Sequence, residues 1–336
     1  MDPTFWNANM KPTEDILNEM GLGPPEEGAG EEIRVTISKR QGKHTEAIEA
    51  IRFARDEGKQ SIAYNTRPFV LCGLPIKRPP KQTLVHIRRN GAFFLRVAGD
   101  PEYGLPFGQD RLIPLWVATL AVRQKSRVVR FDTAAEILDT FNLPKDGRYY
   151  RRLVEGFKRV FTATIFFGTE DQLRKGTVWD WARFHFFDRM QVWYSKQLDQ
   201  PRLPSEDFEN VIVLSEAFWK ELEAHPIPVD LNVVRSLADA PGNLDFYMWV
   251  AWRCWKAKGT ESLPLFGEAG LISQLGVGGY GAKWKFRQTL KRWIATTKAL
   301  WPGCPAQLSE DGDHMVLHPA RAVQAGEFPQ GVPVEN

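Results

Sequence analysis

Apolar and polar residues alternate in "TLVHIRRNGAFFLRVAG" on both sides of Asn90-Gly91, which predicts two strands joined as a hairpin. "DRLIPLWVATLAVRQ" is apolar on every side and reads as a buried helix with Pro114 in its first turn. "RVVRF" follows as a short strand. "DTAAEILDTFNL" then reads as a short helix, with Asp132 or Thr133 as its N-cap and Glu136 completing a capping box. "DGRYYRRLVEGFKRVF" has helical spacing, "TATIFFG" reads as a strand, and a hairpin leads on into "TVWDWARFHFFDRMQVWY".

The pattern then repeats. After the strand "ENVIVL" and the helix "SEAFWKELEAH", capped by Ser215, "LDFYMWVAWRCWKAKG" is a second helix buried nearly all round. "LPLF" is a short strand and "GEAGLISQLG" a short helix. A longer helix runs from Tyr280 to about Ala299, and "AQLS" and "HMVLHP" form a trailing hairpin. Buried helix, short strand, short helix, turn, basic helix and hairpin is the order of a winged helix-turn-helix. The expected fold class is therefore α+β, with two tandem winged helix-turn-helix domains behind a flexible acidic N-terminal segment. The polar, two-proline stretch "QLDQPRLPSED" is the expected boundary between them. The divisions are 1–58 (the N-terminal segment with a short helix), 59–205, 206–320, and a disordered tail over 321–336.

At 100° per residue, Phe286, Leu290, Trp293 and Thr297 form the apolar stripe of the second basic helix, flanked by Ile294 and Leu300. Trp284, Arg287, Gln288, Lys291 and Lys298 lie opposite, flanked by Lys285 and Arg292. In the first basic helix the stripe is Tyr150, Leu153, Val154, Phe157 and Phe161. Arg148, Arg151, Arg152, Lys158 and Arg159 lie outside it, with Glu155 the one acid among them. A solvated helix face usually mixes signs, because like charges one turn apart destabilise it. An unmixed basic face makes physical sense against phosphates, whose condensed counterions it releases.

Charge extends that reading beyond the two helices. The formal net charge is +3, but residues 1–32 hold eight acids and one base, Lys11. Residues 58–99 hold eight bases and no acid, and residues 269–309 hold six bases and no acid. Such one-sign stretches attract polyanions. The three cysteines are scattered and suit a reducing compartment. No run is apolar for long enough to span a membrane, and the polar N-terminus does not read as a signal peptide. A cytoplasmic protein is expected.

Candidate catalytic chemistry fails on spacing. Gly276, Gly278 and Gly281 match a dinucleotide fingerprint, but the segment before them reads helical and no acid follows until Glu310. The six histidines include no His-hydrophobe-His pair, so Tyr149-Tyr150 has no metal site to serve as a nickase nucleophile. His185 reads as a sheet residue. Glu170-Asp171 and Glu310-Asp311-Asp313 read as solvated turns. No enzyme, metal or cofactor is expected.

"YNTRPFVLCGLPIKRPP", "GLPFGQDRLIPLWVATLAVRQKSRVVRF", "LPKDGRYYRRLVEGF", "WARFHFFDRMQVWY" and "LSEAFWKELEAHPIPVD" closely resemble the plasmid-encoded RepA replication initiators, over roughly residues 60–318. The chain is similar, more distantly, to TrfA and the wider class of iteron-binding winged-helix initiators. The resemblance implies binding to direct repeats in a plasmid origin as double-stranded DNA, opening of an adjacent AT-rich stretch, and recruitment of the host initiator DnaA and the replicative helicase. It also implies a monomer–dimer equilibrium, with dimers repressing their own gene or coupling origins. The second domain would make the main groove contacts, and the first would contribute backbone contacts and dimerisation. Lys283 to Arg292 then falls in the principal recognition helix and Arg148 to Arg159 in the secondary one.

The expected DNA-binding residues are Lys283, Trp284, Lys285, Arg287, Gln288, Lys291, Arg292 and Lys298, with Arg148, Tyr149, Arg151, Arg152, Lys158 and Arg159. Arg287 and Gln288 are the expected base contacts. Lys283, Lys285, Lys291 and Arg292 are expected on phosphates, which position without specifying. The alternative is a winged-helix transcriptional repressor that binds its operator as a dimer and has no replication role. The two readings use the same helices.

Overall fold

The computed structural model describes residues 39–173, 176–192, 209–267, 270–275 and 283–324. Two units are distinguished, Met1–Ala47 and Ile48–Asn336. Among the described residues the first contributes only the start of helix α1 (Lys39–Asp56). All else belongs to the second unit.

Strand β1 (Ile62–Asn65) leads into the short helix α2 (Arg67–Leu71), which has Pro68 in its first turn, where no backbone N–H is needed. Strands β2 (Val85–Asn90) and β3 (Phe93–Ala98) form the expected hairpin. Asn90 pairs with Phe93, so the turn is Gly91-Ala92, one residue later than Asn90-Gly91. Asn90 is buried in the strand, and its Nδ2 donates to the Leu71 carbonyl at 3.1 Å.

A 3₁₀ turn (Gly108–Arg111) opens into α3 (Leu112–Gln124), which is buried along most of its length around Trp116. Strand β4 (Val128–Phe131) and helix α4 (Glu136–Thr140) follow. The Glu136 carboxylate accepts from the N–H groups of Asp132 and Thr133, both at 2.8 Å, as the acidic half of a capping box does. Helix α5 (Gly147–Thr162) begins where the Asp146 carboxylate accepts from the N–H groups of Arg148 and Tyr149.

Next come β5 (Thr164–Leu173), β6 (Gly176–His185), β7 (Phe187–Gln191) and β8 (Asn210–Leu214). Ser215 caps α6 (Glu216–Ala224) through the Phe218 N–H. Strand β9 (Ile227–Asp230) ends at Asp230, which caps α7 (Leu231–Leu237). The chain continues through α8 (Pro241–Lys256), β10 (Glu261–Pro264), α9 (Leu271–Gln274), α10 (Lys283–Leu300), β11 (Gln307–Leu308) and β12 (His314–Leu317). The fold is α+β.

Among the described residues, four antiparallel sheets carry the strands, in the orders β1-β9, β2-β3-β5-β6, β4-β8-β7 and β10-β12-β11. The two three-stranded sheets are built alike. In each, the strand after the buried helix (β4 or β10) takes one edge, the last strand of the trailing hairpin lies in the centre, and its partner takes the other edge. Helix, strand, helix, helix and hairpin thus occur twice, as α3-β4-α4-α5-β7-β8 and as α8-β10-α9-α10-β11-β12.

The expected hairpin forms, as β5 and β6, but it is not the one that completes the first three-stranded sheet. β5 and β6 continue the sheet begun by β2 and β3, while β8 pairs with β4 on one side and with β7 on the other. Spacing alone could not choose, because β5-β6 and β7-β8 both follow α5 as antiparallel pairs. "QLDQPRLPSED" itself lies outside the described residues, but the strands that flank it pair with each other. Strands from either side of the expected boundary also share the β1-β9 sheet. One continuous core runs from Ile51, within the expected N-terminal segment, to Ala322.

Ion pairs are buried in this core. Arg159 meets the Asp110 carboxylate at 2.7 and 3.0 Å, and Arg111 pairs with Asp245. Gly156 sits inside α5, where glycine costs up to about 1 kcal/mol. The reason is space: a Cβ there would lie 2.7 Å from Asp110 Oδ1.

His86 is buried beside this network, and its Nε2 lies 3.0 Å from the Gly73 carbonyl. Burial, reinforced by the charge of Arg88, pushes its pKa down to about 4. The fold holds the neutral ring, while the unfolded chain takes up a proton near pH 6.5. The contribution is therefore complete above pH 6.5 and is lost as pH falls from there to 4, amounting to about 3 kcal/mol. Urea unfolding at pH 7.5, 5.5 and 4.5 should show that fall, and His86→Gln should flatten it over the same range. An equal slope in wild type and variant would rule His86 out as its source.

Candidate nucleic-acid interface

Helix α10 presents the face that its sequence pattern predicts. Phe286, Leu290, Ile294, Thr297 and Leu300 are buried, joined by Thr289, while Trp293 is half-buried. Lys283, Trp284, Lys285, Gln288, Lys291, Arg292 and Lys298 are exposed. None of these cations has a carboxylate partner among the described residues. Lys285 rests over the exposed ring of Trp284, 5.6 Å from its centre, and Lys283 over Phe266 at 5.1 Å. The Arg292 guanidinium reaches the Thr289 hydroxyl, at 3.4 Å.

Arg287 is different. Its Nε donates to the Gly312 carbonyl at 2.8 Å, its Nη2 pairs with the Asp313 carboxylate, and the guanidinium lies 5.1 Å from the Phe266 ring centre. It is half-buried and engaged, and so is not free in this arrangement to reach a base edge. Asp313, expected as a solvated turn residue, is its partner. No acid lies within reach along the helix, but one reaches it from the β11–β12 hairpin, which local spacing cannot reveal.

The C-terminal end of α10 is held from outside the helix. Arg52 Nε donates to the Ala299 carbonyl at 3.0 Å and Arg55 Nη1 to the Leu300 carbonyl at 3.2 Å. Cations at that end satisfy orphan carbonyls and oppose the helix dipole. Arg55 is itself buried, with Asp230 at 3.9 Å. "TEAIEAIRFARDEG" carried a helical pattern but no sign of this contact, whose partners are some 245 residues away.

Helix α5 corrects its predicted face. The buried residues are Tyr149, Leu153, Gly156, Phe157, Arg159 and Val160, whereas Tyr150, Val154 and Phe161 are only partly buried. The buried face is rotated by about 90° from the expected stripe. Tyr149 packs inward, donates its hydroxyl to Asp239 at 3.3 Å, and lies 5.4 Å below both the Arg148 and the Arg152 guanidinium. Arg159 is buried, paired with Asp110 and stacked on Phe107 at 4.7 Å. Tyr149 and Arg159 therefore leave the exposed set. Arg148, Arg151 and Arg152 remain exposed and without a carboxylate partner among the described residues. Lys158 pairs with Glu155 at 3.0 Å.

Among the described residues no group of His, Cys, Asp and Glu is arranged to hold a metal ion. None of their helices is long and apolar enough to cross a membrane. Cys72, Cys254 and Cys304 are buried free thiols, and burial pushes Cys72 and Cys254 up to about 12. The glycines at 276, 278 and 281 lie outside the described residues.

An α+β chain that displays an unpaired basic helix face in a repeated helix–sheet unit belongs among candidate DNA-binding proteins. The family model described as plasmid encoded RepA protein matches residues 155–263, from the middle of α5 to β10. This is the family whose motifs the sequence resembles. No curated protein matches. Among solved structures, the chain is similar to selenomethionine crystals of domains 2 and 3 of RctB, with 13% identity and a TM-score of 0.47, covering 74% of this chain and 96% of that one. A second structure of RctB domains 2–3 matches with 12% identity and a TM-score of 0.44, covering 72% and 92%.

Proposed function

We propose that the chain is a non-enzymatic plasmid replication initiator that binds repeated duplex sequences in an origin through two winged-helix units. The observation that carries this is the outer face of α10, where five exposed Lys or Arg stand without a carboxylate partner among the described residues. Such a face is mildly self-repelling in isolation and is stabilised by phosphates. The match to the plasmid-encoded RepA family over residues 155–263 supports the same reading. α10 is the principal recognition helix, with Gln288 placed to read a base edge. α5 is the secondary element, contacting the backbone through Arg148, Arg151 and Arg152. Origin opening, recruitment of the host initiator DnaA and the replicative helicase, and a monomer–dimer equilibrium complete the proposal.

Selection of bound duplexes from a random library, at two salt concentrations, tests it. A motif of about 20 base pairs, one helical turn for each unit, is the expected result, and it should recur as direct repeats beside an AT-rich tract. An inverted repeat upstream of a promoter would favour the repressor instead. Weak, motif-free, strongly salt-dependent binding would reduce the site to phosphate contact alone. Within a selected motif, Gln288→Ala should relax preference at one base pair, by about 1–3 kcal/mol of discrimination.

A further inference from the structure

The β11–β12 hairpin is tied to α10 through one side chain. Its turn is organised from within: the Asp311 carboxylate accepts from the Ser309 hydroxyl at 2.5 Å and the Asp313 N–H at 2.9 Å, and the Gly312 N–H donates to the Ser309 carbonyl at 2.9 Å. Those bonds hold the Asp311 carboxyl below the ordinary carboxylate range. Gly312 adopts φ +68°, a conformation that favours glycine, and its carbonyl receives Arg287 Nε. The backbone of Asp313 is fixed as well, because its carbonyl accepts from the Leu265 N–H at 2.8 Å. The Asp313 carboxylate is thereby presented to Arg287, whose guanidinium stacks on Phe266, and Phe266 meets Phe286 of the same helix edge-on at 6.0 Å.

We propose that Asp313 is a positioning residue: with Gly312 it holds Arg287 and so sets the β11–β12 hairpin against the exposed face of α10, leaving sequence reading to Gln288. The inference rests on the duplex-DNA reading above. A second consequence is electrostatic. An uncompensated acid beside the recognition face would repel phosphate, and Arg287 neutralises it. A charged pair that is partly open to water adds little to stability, so its effect is on geometry and field more than on folding.

The test uses the full chain with Arg287→Ala, Asp313→Ala and the double variant. Affinity is measured on the selected duplex, the preferred sequence by repeating the selection, and backbone order by amide exchange over residues 309–314. Arg287→Ala should weaken binding about tenfold and Asp313→Ala by less, since it leaves a cation and not an acid beside the phosphates, and the double variant should lose no more than Arg287→Ala, because both remove one coupled contact. The selected sequence should stay the same, and exchange in the turn should quicken equally in both single variants. Relaxed preference at one base pair in Arg287→Ala, with full affinity in Asp313→Ala, would overturn the proposal and make Arg287 a base reader. If the wild-type chain selects no sequence, the duplex reading has failed on its own. Amide exchange then decides the contact: equal quickening supports it, and unchanged exchange sinks it.

Discussion

Asp245→Ala should cost about 3–5 kcal/mol of stability, because it strands the Arg111 charge in the core. Both side chains are almost wholly buried. Arg111 donates Nε to the Gly108 carbonyl at 2.7 Å and Nη2 to the Leu74 and Pro75 carbonyls at 3.0 and 2.9 Å. Asp245 supplies the charge that those neutral acceptors lack. Gly73 packs so closely that a Cβ would lie 2.5 Å from Asp245 Oδ2, so the site has little room to rearrange. Urea unfolding at pH 7 measures the loss. Arg111→Met combined with Asp245→Leu removes both charges and should recover most of it, as apolar replacements of buried pairs do. A loss under about 1 kcal/mol in Asp245→Ala would mean that water or a shifted partner satisfies Arg111.

Replacing Lys285, Lys291 and Arg292 together with alanine should lower duplex affinity about 100-fold near 0.15 M salt and flatten the log–log salt dependence by about 2.7, if each contacts one phosphate. All three are exposed and lack a carboxylate partner among the described residues, so the substitutions empty no pocket and strand no buried charge. Stability should change little, and isothermal unfolding serves as the control. An unchanged salt slope would place the phosphate contacts elsewhere and remove α10 from the interface. Arg148, Arg151 and Arg152 on α5 would then be the next set to replace.

The two basic helices differ in how well their faces could be read. In α10 the apolar residues are spaced so that a single stripe accounts for them, and Phe286, Leu290 and Thr297 are buried as that stripe requires. In α5 adjacent tyrosines offered two registers of similar apolarity. The choice fell to Tyr149 because the Asp110–Arg159 pair and the close approach at Gly156 turn that side of the helix inward.

The sequence by itself determined most of the elements and their order, the repetition of that order, and the acid-free basic character of α10. These follow from local spacing, caps and composition, which act over a few residues. Only the tertiary structure decided which hairpin completes the first unit, that strands on either side of a proline-rich stretch pair together, that Arg159 is a core residue, and that Arg287 belongs to Asp313. Each of those outcomes joins residues about 25 to 170 apart in the chain. A charge's partner there depends on which distant backbone brings a carboxylate within about 3 Å, and no local pattern carries that information.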